Sequence, residues 1–205
     1  MARQNKGTLQ ERKLFDAAAR LFAEKGYHGA STADLAQALG LRKSSLYHYM
    51  ESKEDLLYRL LDDYMSQGLA EIEELAKLAE EPESKLRRAL IYYARFYIKD
   101  PERLVLLVNE SARLTGWRRR EMAAKQRRYL AAFNSILGEL KAAGQMRDIP
   151  ETVASFSFFG MVHYTYQWFN SKGRLSAAEL ADLFLAIFTR GVLISPGSAS
   201  HDRPA

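Results

Sequence analysis

Residues 32–57 read TADLAQALGLRKSSLYHYMESKEDLL, and this stretch decides the fold. Thr32 can cap a helix, because a hydroxyl accepts a backbone N–H that the first turn leaves unpaired. Leu35, Ala36 and Leu39 follow at helical spacing and give that helix one apolar face. Gly40 comes next, where a helix end favours a residue that tolerates the left-handed conformation. Arg42, Lys43, Ser44 and Ser45 then supply cationic and small polar donors, ahead of Leu46-Tyr47-His48-Tyr49. A second helix over 43–49 is expected, with Leu46 turned to the core. Its first residues would reach base edges and its later ones the phosphates, the arrangement of a helix-turn-helix. Ser52 and Asp55 stand at capping-box spacing, with Asp in place of Glu or Gln, so a further helix starts there. Upstream, Leu14, Ala17, Ala18, Leu21 and Phe22 share one face of a helix over 9–25 that stops at Gly26.

On these residues the chain resembles the TetR family of bacterial one-component transcriptional regulators. That family's pattern is a capping Thr, an Ile/Leu-Ala pair, a Gly turn, a short Ser/Thr-rich helix, then L-Y-x-(H/Y)-F and x-x-K-x-x-L. Here it stands as Thr32, Leu35-Ala36, Gly40, Ser44-Ser45, Leu46-Tyr47-His48-Tyr49, Lys53 and Leu56, with Met50 where Phe is usual. The resemblance implies an all-α fold of about nine helices in two domains. Residues 1–52 would form the helix-turn-helix DNA-binding domain and 53–194 the helical effector-binding and dimerisation domain, with 195–205 a disordered tail. It also implies double-stranded operator DNA as partner. Arg42, Lys43, Ser44 and Ser45 are expected at the bases, and Thr32, Tyr47, His48, Tyr49 and Lys53 along the backbone. Tyr49 has the alternative of packing beneath the helix, and His48 that of being merely exposed.

Charge supports this division. Of the net +5, residues 1–50 carry +4, from eight Lys/Arg against four Asp/Glu. Excess cations on the candidate DNA-binding end are what phosphate attraction requires. The chain has no cysteine, which excludes disulfides, thiolate metal sites and cysteine nucleophiles. No run approaches the about 18 apolar residues needed to span a bilayer, and residues 1–10 lack an apolar signal core, so a cytoplasmic protein is expected. Residues 1–8 read as a polar, basic, mobile arm, expected to be a disordered terminus, with the alternative that Arg3 and Lys6 touch phosphate or the minor groove.

Beyond the head, helices are expected over 53–80, 84–99, 101–114, 117–143, 150–170 and 176–194. They are punctuated by Pro82, Pro101, Gly116, Gly144 and Pro150, with Ser176 as a cap. The segment 150–170 is apolar around its whole circumference, so it must be covered on every side. With Leu180, Leu183, Phe184, Ile187, Phe188 and Leu193 of the last helix it makes a candidate two-fold interface. In the TetR family the last two helices usually pair in this way, as a homodimer.

A small-molecule effector is the other implied partner. Tyr164 and Trp168 are four residues apart, with His163 and Gln167 as polar neighbours. Arg118, Arg119, Arg120, Lys125, Arg127 and Arg128 form a cationic run beside Trp117, with Arg113 just before it. A run of this kind is ordinarily a solvated face, and the aromatics are ordinarily core or dimer contacts. Taken together, a cationic patch and an aromatic cavity suit a ligand with an apolar tail and a phosphorylated head. Arg113, Trp117, Arg120, His163, Tyr164, Gln167 and Trp168 are therefore the candidate effector residues, and an acyl-CoA the candidate ligand. The run from Tyr164 to Phe184 also resembles TetR regulators of fatty-acid and steroid degradation that respond to CoA thioesters.

The four histidines lie far apart, without metal-ligand spacing, and no Gly-rich phosphate loop or nucleophile elbow is present. The expected function is a repressor released by its ligand, with no catalytic residue, metal or cofactor. A regulator of efflux responding to drug-like compounds is the nearest alternative, and a non-specific DNA-binding protein a more distant one.

Overall fold

A computed structural model of the chain describes residues 2–194, with side chains from Glu11 onward. The described residues form ten α-helical segments and one turn of 3-10 helix, and no strand. In chain order these are α1 (Ala2–Gly29), α2 (Thr32–Ala38), α3 (Lys43–Leu46), α4 (Lys53–Lys77), α5 (Pro82–Lys99) and α6 (Pro101–Glu110). The 3-10 turn (Ser111–Arg113) leads to α7 (Gly116–Ala142), α8 (Glu151–His163), α9 (Thr165–Trp168) and α10 (Ala177–Val192). An isolated antiparallel bridge joins Met146 to Leu193.

Contacts divide the chain into two compact units. The first runs to Ser66 and takes in Pro101–Ala124; the second combines Gln67–Asp100 with the chain from Lys125 onward. The boundaries fall inside α4, between α5 and α6, and inside α7, and the first unit reaches past residue 52. The reason is packing: α6 lies on α1, Arg103 pairs with Asp16 at 3.0 Å, and Tyr58 meets Trp117 edge-on at 5.0 Å. A three-helix head alone buries too little apolar area, so these added segments complete its core. That core holds Leu14, Ala18, Phe22, Leu35, Leu46, Leu56 and Leu57, and Met50 fills its expected place at 3% exposure. The second unit is organised on α5, against which α10 and α8 pack. Leu86, Leu90, Phe133, Ile136, Phe158 and Ala181 are fully buried there.

Several element ends differ from expectation. Ser31, not Thr32, caps α2: its hydroxyl accepts from the Asp34 N–H while the Asp34 carboxylate accepts from the Ser31 N–H. A carboxylate at the third helical position makes that reciprocal box, which places Thr32 in the first turn. At the start of α4 the Ser52 hydroxyl accepts from Asp55 N–H at 3.0 Å, but the Asp55 carboxylate turns to the Glu51 N–H. The helix α1 begins at Ala2 rather than at residue 9, so residues 2–8 are helical in backbone. The side chains of Arg3 and Lys6 lie outside the described residues, as does the tail 195–205. α3 is one turn long, and i→i+3 bonds such as Tyr49 N–H to Leu46 carbonyl carry the winding on to Met50. The single helix expected over 150–170 is two, α8 and α9, interrupted at Tyr164. There the Thr165 hydroxyl donates to the Val162 carbonyl at 2.7 Å, a local bond that competes with the helical ladder. Counting α8 and α9 as one gives the nine helices expected.

The segment 150–170 is also more two-faced than its composition implies. Ala154, Ser155, Phe158, Phe159 and Val162 are buried, while Val153, Phe156, Tyr164 and Trp168 are exposed. On α10, Leu180, Phe184 and Phe188 face inward, and Leu183 and Ile187 face out.

Candidate functional site

In the head, local backbone chemistry aims α3. Gly40 takes φ +64°, the Leu41 N–H bonds back to the Ala36 carbonyl at 2.8 Å, and the Gly40 N–H bonds to that of Gln37. This is a Schellman closure, which ends α2 sharply and fixes where the next helix starts. Leu46, fully buried, and Met50 anchor the underside of α3. The opposite side carries Arg42, Lys43, Ser44, Tyr47 and His48, all exposed, with Thr32, Ser45 and Tyr49 half-buried beside them. Neither Arg42 nor Lys43 meets a carboxylate among the described residues.

Lys53 is placed differently. Its ammonium donates to the carbonyls of Tyr27 (2.7 Å) and Ala30 (3.0 Å) and lies 4.4 Å over the Tyr27 ring. A cation at a helix C-terminus satisfies carbonyls the helix leaves unpaired. One of its three N–H donors is left for any outside partner. Asp34 does the same work at the other end of this corner, accepting from Lys25 and Ser31, whose hydrogen bonds hold its carboxyl well below the usual range.

The candidate effector residues do not fall in one compact unit. Arg113, Trp117 and Arg120 belong to the first. There Arg113 pairs with Glu110 and meets His28 at 2.9 Å, Trp117 is half exposed, and Arg120 is exposed. The neighbouring Arg118 stacks on Trp117 and points at Asp55 (3.4 Å) and Glu51 (3.7 Å). His163, Tyr164, Gln167 and Trp168 belong to the second unit, and only His163 turns inward. Tyr164, Gln167 and Trp168 are exposed.

What His163 faces is a set of tyrosines absent from the sequence-based candidates. Its ring meets Tyr97 edge-on at 4.6 Å and stacks on Phe159 at 5.5 Å. Tyr97 and Tyr129 share a hydrogen bond of 2.7 Å between their hydroxyls, and the Tyr93 hydroxyl donates to the Gly68 carbonyl at 2.7 Å. Burial pushes all three phenols far above their ordinary range, so they stay protonated donors. Burial also lowers His163 to about 4, which keeps its imidazole neutral at pH 7. Its Nε2 is shielded from solvent and meets no hydrogen-bond partner. Gly68 admits the cluster. A Cβ there would touch Tyr129 at 3.4 Å and Tyr93 at 3.5 Å. The run Tyr92-Tyr93 and Phe96-Tyr97, which puts aromatics on neighbouring turns of α5, signals Tyr93 and Tyr97 but not Tyr129.

Residues 14–60 match the family model for bacterial regulatory proteins of the tetR family, and residues 79–192 match that for the tetracyclin repressor-like C-terminal domain. The chain belongs to the TetR family. As a TetR-family protein it is a DNA-binding transcriptional regulator. The TetR-family regulator PfmR of Thermus thermophilus is 30% identical with a TM-score of 0.79, over 87% of this chain and 97% of that one. AibR, solved in complex with isovaleryl coenzyme A and operator DNA, is 28% identical with a TM-score of 0.74, over 87% and 97%. The HTH-type transcriptional repressor KstR2 of Mycolicibacterium smegmatis is 24% identical over 90% of this chain and 91% of its own.

Within this TetR-family chain, the exposed apolar residues of the second unit form two stripes. Val153, Phe156 and Tyr164 follow one face of α8 with Gly160 between them, and Leu183 and Ile187 follow one face of α10 with Gly191 next in line. A Cβ at Gly160 or Gly191 would meet nothing within 4 Å. Among the described residues no helix is long and apolar enough to cross a membrane, and no cluster of three metal-ligating side chains occurs.

Proposed function

We propose that this TetR-family regulator is a cytoplasmic, non-enzymatic, homodimeric repressor that leaves its operator on binding an acyl-CoA. The observation carrying the DNA side is the pair Arg42 and Lys43, exposed at the start of α3 with no carboxylate among the described residues to neutralise them. Uncompensated cations ahead of a pinned helix are what phosphate and base edges recruit. Arg42, Lys43, Ser44 and Ser45 read bases; Thr32, Tyr47, His48, Tyr49 and the remaining donor of Lys53 hold the backbone. The division of labour runs from a head over residues 1–52 to an effector and dimer body over 53–194.

The stripes on α8 and α10 make the two-fold contact, with Gly160 and Gly191 allowing helices to approach closely. Tyr164 and Trp168 belong to that contact. A dimer sets two copies of α3 about one DNA turn, roughly 34–36 Å, apart. The acyl part of the effector is taken up at Tyr93, Tyr97, Tyr129 and His163. Tyrosine hydroxyls and an unpaired imidazole nitrogen can hold a thioester carbonyl, and the surrounding rings an acyl chain. Because Tyr93 is bonded to Gly68 of α4, a ligand that parts them moves a helix continuous with the head. Release then requires that the ligand favour the geometry that does not fit DNA.

The test is displacement of a DNA fragment from this gene's own upstream region, followed by fluorescence anisotropy. Acyl-CoAs should release the fragment and the matching free acids should not. Release by cationic drug-like dyes but by no acyl-CoA would replace this reading with the efflux-regulator one. Equal affinity for unrelated DNA would favour a non-specific binder.

A further inference from the structure

We infer that the outer face of α5 carries a second binding site, for a purine nucleotide bearing at least two phosphate groups. The face is built from residues one and two turns apart. Arg88, Tyr92, Arg95, Phe96 and Lys99 lie on one side of the helix and, with Glu71 of α4, line a groove of about 480 Å³. Pockets for small ligands run from about 300 to 1,000 Å³, so this one is of suitable size for a nucleotide.

Three features give the groove its chemistry. Tyr92 and Phe96 stack with centroids 5.6 Å apart and planes 15° from parallel, a ring pair half open to solvent on which a further ring can stack. A purine has a matching π-face, and stacking of this kind is tolerant of ring identity. Arg95 and Lys99 sit four residues apart on the helix, both exposed and with no carboxylate partner among the described residues. Like charges at that spacing repel, so an anion between them relieves a cost the free helix bears. Arg88 is not equivalent, because Glu80 already holds it at 2.6 Å. Glu71 is the one carboxylate of the lining. It opposes a bare anion but accepts readily from an exocyclic amine or a ribose hydroxyl. Together these features select a base carrying phosphates over phosphate alone.

The groove also adjoins the tyrosine cluster. A Cβ on Gly68 would lie 3.9 Å from Phe96 and 3.5 Å from Tyr93, so one glycine borders both. A coenzyme A thioester fits both at once, its nucleotide in the groove and its acyl part inside. That last step rests on the acyl-CoA reading above; the nucleotide site itself does not.

Calorimetry with adenosine 3′,5′-bisphosphate, adenosine and inorganic pyrophosphate tests the site. The wild-type chain should bind the bisphosphate at least tenfold more tightly than either fragment. The double variant Arg95→Ala, Lys99→Ala should lose at least tenfold for the bisphosphate and change little for adenosine, with thermal midpoint unchanged to show it is folded. Tyr92→Leu should weaken the bisphosphate and adenosine alike and leave pyrophosphate unaffected. Pyrophosphate binding as tightly as the bisphosphate, or a bisphosphate affinity indifferent to Arg95 and Lys99, overturns the proposal. If acyl-CoAs release DNA equally well from wild type and from the double variant, the effector reading stands and the placing of the thioester's nucleotide in the groove falls. If the bisphosphate behaves as expected while no acyl-CoA releases DNA, the groove stands and the effector reading falls.

Discussion

The head and the body of this molecule both leave polar groups without partners, but in opposite settings. Arg42 and Lys43 stand exposed at the start of α3, where water solvates them at no cost. In the body His163 Nε2 is unpartnered, shut away from water against Tyr97 and Phe159, and Gln145 Oε1 is a second such atom among the described residues. A buried polar atom without a hydrogen bond costs roughly 1–3 kcal/mol. On the proposed function, the head's exposed cations await a polyanion, and the buried imidazole nitrogen of the body awaits a small donor or acceptor.

The double variant Arg42→Ala, Lys43→Ala tests the head. If both cations await DNA, operator affinity should fall by about a hundredfold or more at constant salt, because each specific contact is worth about 1–3 kcal/mol. The slope of log affinity against log salt should also shrink by about 0.9 for each phosphate contact removed. Unfolding free energy should stay within about 0.5 kcal/mol of wild type, as expected of exposed side chains away from any partner. A large loss of stability would mean the pair is structural after all.

His163 offers the corresponding test in the body. Its native pKa of about 4 lies below its ordinary 6.5. Between those values the unfolded chain takes up a proton and the native chain does not. Stability is therefore complete above pH 6.5 and falls as the pH drops towards 4, by up to roughly 3 kcal/mol. Urea denaturation at a series of pH values should show that acid limb in the wild type. His163→Phe, which keeps a ring in the same stack, should remove most of it. An unchanged limb would show that the imidazole is solvated and ordinary.

These two regions were not equally legible in the sequence. The helix-turn-helix is written in local rules: a cap, a Gly that must go left-handed, and a short cationic helix, all within residues 31–57. Only details moved, such as the cap from Thr32 to Ser31, since Asp34 as partner sets which hydroxyl serves. The body site depends on residues distant in sequence. Tyr97 meets Tyr129 and His163 only because α5, α7 and α8 pack together, and no spacing rule announces a hydroxyl pair across two helices. The cationic run of α7 is ambiguous in sequence for the same reason: its charge suggests a patch open to a ligand, yet Arg118 is turned to Asp55 and Arg128 is bidentate on Glu73. Charge can be counted along a chain. Its partners cannot.

Those two arginines carry the smaller tests. Arg118 is 18% exposed and faces Asp55, itself 12% exposed in its side chain. Removing it with Arg118→Ala leaves a largely buried carboxylate with Arg59, at 3.7 Å, and the Glu51 N–H, at 3.3 Å. Breaking a fully buried pair costs about 3–5 kcal/mol, and the surviving partners reduce that here to about 2 kcal/mol, measurable by urea denaturation. Arg128 is the weakest case. Its side chain is 62% exposed and that of Glu73 30%, so solvent and salt screen the pair despite its bidentate geometry. A double-mutant cycle with Arg128→Ala and Glu73→Ala should return a coupling of about 0.2–1 kcal/mol that shrinks as salt is added. A coupling several times larger and insensitive to salt would place the pair among the buried, structural ones, and would make Arg128 as unavailable to a ligand as Arg118 is.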